Sequence, residues 1–501
     1  MTLMHKIASP GVFVQETGID EVEIVLPYGC TAEIRKYLFS DTSREYICQL
    51  LCGHTLIGRR LRLLVCYLVQ PEPEDYLSQS LTSLRLNPEY DLQLRNACKQ
   101  ERLSLVDVHS HPFAQHHGAF SSLDDRDEWD QYGYFRRNLP ECLYGSIVMG
   151  RASQEGRLFL HQEGSPSPRA APMRIVCRDT PLTGGEESDA RLAEAPRFDR
   201  QVRAFGKEGQ RNLSTLKVGI VGVGGLGASL AIGLTRLGVR SFVLVDPDRV
   251  EKTNLHRLAG TRASDARRRI SKVRMVARRM AQIDSTVIVD PCAHDVFAPT
   301  AWQRLRDADI IVAATDNHAS CMLLNALAHQ YLVPLVSVGT LIRTHGGHFV
   351  DGYGELYSVL PGQPEPCLLC SQVLNKTEAY YELGPENNRR QAVAQGYIEG
   401  FDEPDPAVYH LNGVMVNLAL LEIHNLACGF MPRKVHLHYT MSERWLLTIE
   451  DPPQKCAVCS PNGANFARGD QVDPLVHLFG GVSFPDRTNG APSTRRGGKR
   501  S

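Results

Sequence analysis

The sequence predicts an α/β fold made of two domains, and three observations support this prediction. From Arg197 to Cys459 the pattern of strand, glycine-rich turn, helix and strand repeats, which predicts a doubly wound, mainly parallel sheet of the Rossmann-like type. Residues 1–162 alternate strand-like and helix-like segments, several of them apolar runs of strand length. Residues 163–195, which are rich in Gly, Ser and Pro, predict a linker between a first domain at 1–162 and a second domain at 196–460.

The end of the chain and its bulk composition set further limits. Residues 461–501 finish in a polar, basic stretch without apolar periodicity, which predicts a largely disordered tail. The net charge of −1 gives no indication of binding to nucleic acid or to a membrane surface. The apolar stretch Val218–Leu237 contains several glycines and an arginine, so we interpret it as a buried strand-turn-helix unit and not a membrane span. The 14 cysteines, two C-x-x-C pairs among them, and the lack of a signal-peptide core favour the cytoplasm.

A first group of residues with metal-binding chemistry follows the strand-like run Leu103–Val108. His109 and His111 come directly after it, and histidines two residues apart on a strand point to the same side, so both can bind one metal ion. Asp124 would supply a third ligand and leave zinc one open position for water, which is the catalytic arrangement. Zinc lowers the pKa of such a water toward ~7, and a nearby carboxylate is then needed to accept its proton.

These residues resemble the motif of the JAMM (MPN-plus) zinc metalloproteases, which cleave isopeptide bonds after ubiquitin-like tails. The resemblance covers about residues 5–162. It implies three zinc ligands, His109, His111 and Asp124. By the same resemblance, Ser121 would steady the developing oxyanion and Glu45 would act as the base.

The sequence departs from the family pattern in two places. Twelve residues separate the second histidine from the aspartate, two more than in the family. Glu45 lies one residue further from Gly53 than the family pattern expects, which predicts a bulge in this strand. Asp107 and Glu101 are weaker candidates for the base. The alternative to an active zinc site is a metal-free scaffold of the same fold.

A second group begins with a glycine-rich turn after the strand Lys217–Val221. Such glycines allow backbone amides to approach a phosphate closely at a helix N-terminus. The glycines concerned are Gly222, Gly224, Gly225 and Gly227. The next strand ends at Asp246, where an acid can bind ribose hydroxyls. This pattern alone fits a dinucleotide site equally well.

The segment Asp246–Arg257 resembles the signature of the ubiquitin-activating superfamily, which includes the ThiF/MoeB-type adenylyltransferases. Four further motifs match the family in order, so the resemblance covers nearly all of 197–460. They are an opening motif at Arg197–Gln201, a lysine at 272, the T-D-N at 315–317 and both C-x-x-C pairs. It implies ATP-dependent adenylation of a protein C-terminus, with Mg²⁺.

The resemblance also implies roles for single residues. Arg257 and Lys272 would clamp the phosphates, Asp316 would hold Mg²⁺, and Asn254 would bind phosphate or ribose. Arg200 would reach the ATP of a partner subunit, which implies a homodimer.

The cysteines complete this second group. Two C-x-x-C pairs predict a closed tetrahedral zinc site, with a redox pair or buried thiols as alternatives. Its ligands would be Cys367, Cys370, Cys456 and Cys459. Where relatives that form a thioester carry a cysteine, this chain has Tyr409, and Cys321 stands where many relatives have an arginine. We therefore predict adenylation, and the sequence leaves open whether a thioester or persulfide forms.

The two halves together predict a bifunctional enzyme that cleaves after the tail of a ubiquitin-like β-grasp protein and also adenylates that tail. Its partners would be this protein and a conjugating-enzyme-like protein, and its cofactors zinc, ATP and Mg²⁺. The alternatives are a sulfur-carrier enzyme of cofactor or siderophore biosynthesis and an inactive regulatory scaffold.

Overall fold

The computed structural model describes most of the chain. The described residues are 18–114, 119–161, 168–178, 182, 195–362, 366–384, 391, 406–450, 456, 458–460, 463 and 466–479. They form one closed barrel and one eight-stranded sheet, each with its own helices.

The first half of the chain is a closed β-barrel. Its strands run in the order β1-β3-β2-β6-β7-β8-β9, and β9 pairs in parallel with β1 to close it. The strands of this half, including a separate β4–β5 pair, are β1 Glu21–Leu26, β2 Ile47–Ile57, β3 Arg60–Val69, β4 Tyr76–Gln79, β5 Leu84–Leu86, β6 Ser104–Ser110, β7 Tyr144–Met149, β8 Gln154–Leu160 and β9 Arg169–Cys177. Its helices are α1 Cys30–Leu38, α2 Pro88–Glu101 and α3 Ser122–Asn138. The apolar runs in the sequence form these strands because both faces of most of them are buried.

The predicted linker at 163–195 is wrong in its first part. Strand β9 lies inside it and pairs with β8 on one side and β1 on the other. Arg178, directly after β9, is also buried and lies 3.6 Å from Asp309. The first folded unit therefore extends past residue 162, and only residues beyond 178 are left to connect the halves.

The second half is a Rossmann-like sheet, as predicted. Its order is β12-β11-β10-β13-β14-β15-β16-β17, and the first five of these strands are parallel. The strands are β10 Lys217–Val221, β11 Ser241–Val245, β12 Ile288–Cys292, β13 Ile310–Ala313, β14 Leu335–His345, β15 His348–Val359, β16 His436–Thr440 and β17 Trp445–Ile449. Chain direction reverses between β14 and β15, and the last three strands extend the sheet in antiparallel pairs.

Helices cover this sheet on both faces. They are α4 Asp199–Thr215, α5 Gly225–Leu237, α6 Ala263–Arg267, α7 Lys272–Ile283, α8 Pro299–Leu305, α9 His318–Tyr331, α10 Lys376–Leu383, α11 Tyr409–Cys428 and α12 Pro474–Phe479. Helix α9 is almost completely buried, and α11 packs against α4 and α5. By length and composition alone α11 could cross a membrane, but 61% of its most apolar window is buried, as in the core helix of a globular domain.

The two halves are joined by charged side chains. On β3, Arg60 forms an ion pair with Asp307, and Arg62 lies 3.6 Å from the same carboxylate. Arg62 also bonds to Glu23 of β1 at 2.6 Å. Asp307 in turn accepts a hydrogen bond from Lys217 of the central strand β10 at 2.6 Å. The interface thus connects the wall of the barrel to the middle of the second sheet.

A short segment near the end of the chain also joins the halves. Residues 466–472, here called the strap, fall in the region predicted to be a disordered tail, yet they are packed between the barrel and α9. Asp470 accepts hydrogen bonds from Thr55 at 2.9 Å and from Arg306 at 2.7 Å. The prediction of a tail from 461 is therefore wrong for residues 466–479, while residues 480–501 lie outside the described residues.

Two candidate functional sites

The glycine-rich turn after β10 is shaped by close backbone approaches. Gly222 has φ of 84°, and a Cβ there would lie 2.5 Å from the carbonyl oxygen of Ala314. A Cβ on Gly227 would clash with the carbonyl oxygen of Gly222, and one on Gly225 would lie 2.5 Å from Asn412 Nδ2. Only glycine fits at Gly222 and Gly227, where the clash is with backbone atoms, whereas a Cβ at Gly225 would require the Asn412 side chain to move.

Gly224 differs from the other glycines of this turn. It is the N-cap of α5, and a Cβ there would meet no atom within 4 Å. Its side is therefore open to a ligand at the N-terminus of a 13-residue helix, where anions are favoured.

Asp246, at the end of β11, holds this turn in place. Its Oδ2 accepts a hydrogen bond from the backbone N–H of Val223 at 2.7 Å, and its Oδ1 accepts one from Asp248 at 2.8 Å. Burial raises the pKa of Asp246, and Lys272 opposes that shift. The structure thus gives Asp246 a structural task in addition to the predicted contact with ribose.

Lys272, the first residue of α7, brings a positive charge to the carboxylates at the end of β11. Its Nζ lies 2.8 Å from Asp248 and 3.9 Å from Asp246. Burial lowers the pKa of Lys272, but Asp246, Asp248 and the more distant Asp316 together outweigh burial and raise it. Lys272 therefore stays protonated, with a fixed charge beside the glycine turn.

The other predicted phosphate ligands are less firmly held. Arg257 is half-buried, and its Nη1 lies 3.3 Å from the Thr253 carbonyl oxygen. Asp316 is exposed just beyond β13. Asn254 uses its carboxamide oxygen to accept a hydrogen bond from the Glu251 N–H at 2.9 Å, which leaves its carboxamide nitrogen for a ligand.

Arg200 lies on the outside of α4. It is exposed, and no ion pair is found for it among the described residues. The predicted contact of Arg200 with the nucleotide of a partner subunit stays a prediction.

One residue beside this site was missed. Asn412 is 5% exposed, touches the glycine turn at Gly225 and accepts a hydrogen bond from Thr340 at 3.0 Å. A buried asparagine in an apolar helix is the signal that could have identified it.

The two C-x-x-C pairs meet, as the sequence predicts. The Sγ atoms of Cys367 and Cys370 lie 3.7 Å apart, those of Cys367 and Cys456 3.9 Å, and those of Cys370 and Cys459 3.6 Å. Tetrahedral zinc with Zn–S bonds near 2.3 Å requires sulfur atoms about 3.8 Å apart. The donor set and the spacing therefore fit a structural zinc ion.

Two further cysteines, Cys321 in α9 and Cys428 at the end of α11, are not placed as nucleophiles. Burial raises the pKa of Cys321 to about 11, and burial likewise raises that of Cys428 to about 11. Tyr409 is an exposed residue at the start of α11. Cys321 is buried in α9.

At the edge of the barrel, the predicted zinc ligands also come together. His109 Nε2 lies 3.3 Å from one oxygen of Asp124, and His111 Nε2 lies 3.6 Å from the other. Ligands of tetrahedral zinc at bond lengths near 2.0–2.1 Å are about 3.3–3.4 Å apart. His109 Nε2 is buried and makes no hydrogen bond among the described residues, as expected of an atom facing a metal ion.

Glu45 and Ser121 complete this cluster. Glu45 is buried just before β2, with Oε1 3.8 Å from His111 Nε2, and burial raises its pKa to about 7. Ser121 is the N-cap of α3, and its Oγ accepts a hydrogen bond from the Asp124 N–H at 3.2 Å. That contact fixes Asp124 and leaves the serine O–H free to donate.

The alternative bases are occupied elsewhere. Asp107 accepts a hydrogen bond from Tyr144 at 3.0 Å, and Glu101 pairs with Arg468 at 3.0 Å. The prediction of a bulge in the strand that follows Glu45 is wrong: the register of β2 and β3 shifts between Leu51 and Cys52, but the extra residue belongs to β3. The extra spacing is absorbed instead because Glu45 lies outside β2.

Two aromatic residues beside the cluster were also missed. Phe113 is 53% exposed and stacks on His111, with ring centroids 5.1 Å apart. Phe120 lies against His109 at 6.2 Å. An exposed phenylalanine two residues after the second histidine is the signal that could have identified this aromatic contact.

Comparison with known proteins bears mainly on the second half of the chain. The model of the ThiF family matches residues 198–482, more than half of the chain, and leaves the barrel outside the match. The sulfur carrier protein ThiS adenylyltransferase of Bacillus subtilis is 34% identical over 176 residues, which cover 35% of this chain and 49% of that protein. The adenylyltransferase and sulfurtransferase MOCS3 of Dictyostelium discoideum is 34% identical over 177 residues, 34% of this chain and 41% of that protein. The matches thus span about half or less of these curated relatives.

Among solved structures, Escherichia coli MccB with ATP is similar to this chain. The TM-score is 0.43 at 18% identity, and the match covers 54% of this chain and 76% of that one. Similarity of this extent carries no conclusion about activity.

Proposed function

The chain belongs to the ThiF family, and on that premise we propose that it uses ATP and Mg²⁺ to adenylate the C-terminal carboxylate of a small β-grasp protein. The observation that carries the proposal is the joint placement of the glycine turn, Asp246 and Lys272 around one helix N-terminus. A fixed ammonium, free helix N–H groups and a nearby exposed carboxylate are what a magnesium–triphosphate requires.

Each residue has a definite task in this reaction. The open side of Gly224 admits the phosphates to the N-terminus of α5. Lys272 and Arg257 offset the negative charge that spreads over the phosphates when the carboxylate attacks the α-phosphate and pyrophosphate leaves. Asp316, beyond β13, is the residue that would hold Mg²⁺.

Of the two partner classes, a sulfur-carrier protein is favoured over a conjugated ubiquitin-like protein. The relatives above are named for adenylyltransferase and sulfur-carrier or sulfurtransferase functions. Position 409, where relatives that form a thioester carry a cysteine, is a tyrosine in this chain. The chain therefore has no thiol at that position to form a thioester. A conjugating-enzyme-like partner remains the second candidate.

A protein partner has a suitable surface on the antiparallel end of the second sheet. Large apolar side chains there are exposed, which is unusual for a sheet that faces only water. They are Leu341, Phe349, Val350, Trp445 and Leu447. We further propose that the protein is a homodimer in which Arg200 of one subunit reaches the nucleotide of the other. We also propose that it acts in the cytoplasm and binds neither nucleic acid nor membranes.

The test of this function is ATP–pyrophosphate exchange by the full chain. Exchange should appear only when a β-grasp protein with a free C-terminal carboxylate is added, and amidation of that carboxylate should abolish it. Exchange that is absent with sulfur-carrier and ubiquitin-like proteins alike would favour the inactive scaffold.

A second function is favoured by one specific observation, the convergence of His109, His111 and Asp124 with Glu45 at the barrel edge. We propose that this site holds catalytic zinc and hydrolyses the bond that follows the tail of the same β-grasp protein. Zinc, when bound, would supply a Lewis acid that activates water. Glu45 would accept the proton of the attacking water and pass it to the leaving amine, and the free O–H of Ser121 would donate to the developing oxyanion.

The test is cleavage of a β-grasp protein that carries a C-terminal extension. Glu45→Gln should keep zinc and lose cleavage by roughly 10²- to 10⁴-fold, as for a lost general base. Glu33→Gln is the matched control, because it makes the same substitution at an exposed glutamate, and this variant should cleave the extended protein at the wild-type rate. If Glu45→Gln cleaved at the wild-type rate while His109→Ala did not cleave, the metal site would still be supported, but the assignment of Glu45 as the base would be refuted.

A further inference from the structure

A cavity lined by arginines lies outside the two sites described above. Its volume is about 270 Å³, and its walls come from the loop after β11, the turn between α6 and α7, the first turn of α7 and the residue after β12. The lining residues are Arg249, Arg268, Arg269, Ile270, Ser271, Arg274 and Ala293. Backbone contacts fix the walls, since the Val250 N–H donates to the Ile270 carbonyl oxygen at 2.8 Å.

The cavity has an unbalanced positive charge. Four guanidinium groups line it, and no acidic residue does. Arg269 pairs with Glu251 at 3.1 Å, but no carboxylate partner of Arg268 or Arg274 is found in the described part of the chain. The four arginines are exposed, so water screens the repulsion between them, and an anion bound among them would be attracted by all four charges.

Ser271 provides an independent sign of a ligand. It is 8% exposed, and its Oγ makes no hydrogen bond with any described residue. It is the N-cap of the 12-residue helix α7, a position where a serine oxygen normally accepts a helix N–H, yet its side chain makes no such bond. A buried hydroxyl without a partner costs free energy, and here it lines the positively charged cavity at the positive end of a helix.

We propose that this cavity binds a phosphate group. Guanidinium groups match phosphate oxygens in charge and in bidentate geometry, and the Ser271 hydroxyl and the α7 N-terminus add neutral donors. The volume suits one or two phosphate groups and is too small for most drug-sized ligands.

The site is separate from the predicted nucleotide site. Lys272 lies next to Ser271 in sequence, but its ammonium is directed to Asp246 and Asp248, and none of these three residues lines the cavity. The proposal therefore does not depend on adenylation.

The experiment is a calorimetric titration of the full chain at 150 mM salt with inorganic phosphate, with pyrophosphate and with phenyl phosphate. Arg268→Ala with Arg274→Ala should weaken binding by about 100-fold, or about tenfold for each charge-assisted bond lost. Ser271→Ala should weaken it by a smaller factor. Arg267→Ala removes the exposed last residue of α6, which does not line the cavity, and this variant should bind phosphate as the wild type does.

The outcomes are distinct. Tighter binding of pyrophosphate than of phenyl phosphate would indicate a free anion, and the reverse order would indicate a phosphate carried by a larger molecule. No binding to the wild type at millimolar concentration would overturn the proposal. Equal binding of phosphate by the wild type and the double variant would also overturn the proposal. If Lys272→Ala then abolished binding, the anion would occupy the nucleotide site instead.

Discussion

Replacement of Lys272 by alanine tests the nucleotide site most directly. The Lys272 side chain is 12% exposed, and its Nζ contacts Asp248 at 2.8 Å. A hydrogen bond from a charged donor is worth about 1.5–3 kcal/mol net, or a factor of roughly 10–100 in affinity. Because ATP must compete with Asp246 and Asp248 for the ammonium, we expect the lower end, about tenfold weaker binding of Mg²⁺–α,β-methylene-ATP.

The effect on the reaction should be larger than the effect on binding. Charge develops on the phosphates as pyrophosphate leaves, and loss of one preorganised donor costs about 10²–10³-fold in rate. We therefore expect Lys272→Ala to lower ATP–pyrophosphate exchange by at least 10²-fold, and Lys272→Arg to recover part of it.

The control separates chemistry from folding. Lys252 is an exposed lysine six residues after Asp246, and Lys252→Ala should leave both binding and exchange unchanged. Thermal denaturation should accompany each measurement, because Lys272→Ala leaves the buried carboxylate of Asp246 without its nearest cation. Analogue affinity and exchange within twofold of the wild type, in a folded variant, would refute the assignment of Lys272 as a phosphate ligand.

Three further predictions concern Mg²⁺, zinc and pH. Asp316→Ala should fold normally, since its carboxylate is exposed, but should lower ATP–pyrophosphate exchange by about 10²-fold, and unchanged exchange would contradict its role. Elemental analysis should find two zinc ions per chain, and Cys367→Ala should lose one ion with a clear drop in Tm, while His109→Ala should lose one with little change in Tm. Burial alone would raise the pKa of Glu23, but Arg62 and a second arginine outweigh it and lower the pKa from 4.5 to about 2. The free energy of unfolding should therefore fall by up to about 3 kcal/mol as pH falls from 4.5 towards 2. In Glu23→Gln, the free energy of unfolding should depend less on pH over this range.

The nucleotide site could be predicted from the sequence because its parts are local. Gly222, Gly227 and Asp246 belong to one strand-turn-helix-strand unit, so their spacing alone defines their geometry. The His109 and His111 pair is equally local, since His109 lies in β6, His111 follows that strand directly, and their ring centroids are 5.0 Å apart. Asp124 is fixed by a capping box at the start of α3, which the sequence also shows as Ser-x-x-Asp.

The closure of the barrel could not be predicted in the same way. Strand β9 pairs with β1, about 150 residues earlier in the chain, and no local pattern shows such a pairing. Its composition also misleads, because Pro172 is typical of a linker. In the structure Pro172 faces only β8, and pairing with β1 begins at Met173, so the missing N–H of proline removes no ladder hydrogen bond on the other side.

The strap at 466–472 was missed because it is too short to show an apolar period: Phe466 and Ala467 are buried in the core, and the residues after them are held by single polar contacts. Asp470 alone receives hydrogen bonds from Thr55, Arg306 and Tyr331, which belong to three distant parts of the chain. From the sequence alone such a segment resembles a polar, disordered tail, because the partners of its polar residues come together only in the folded structure.

The strap begins seven residues after Cys459, so an ion held by the four cysteines would restrict one end of it. Because the same strap bonds to β2 of the barrel, structural zinc in the second half would also hold the first half in place.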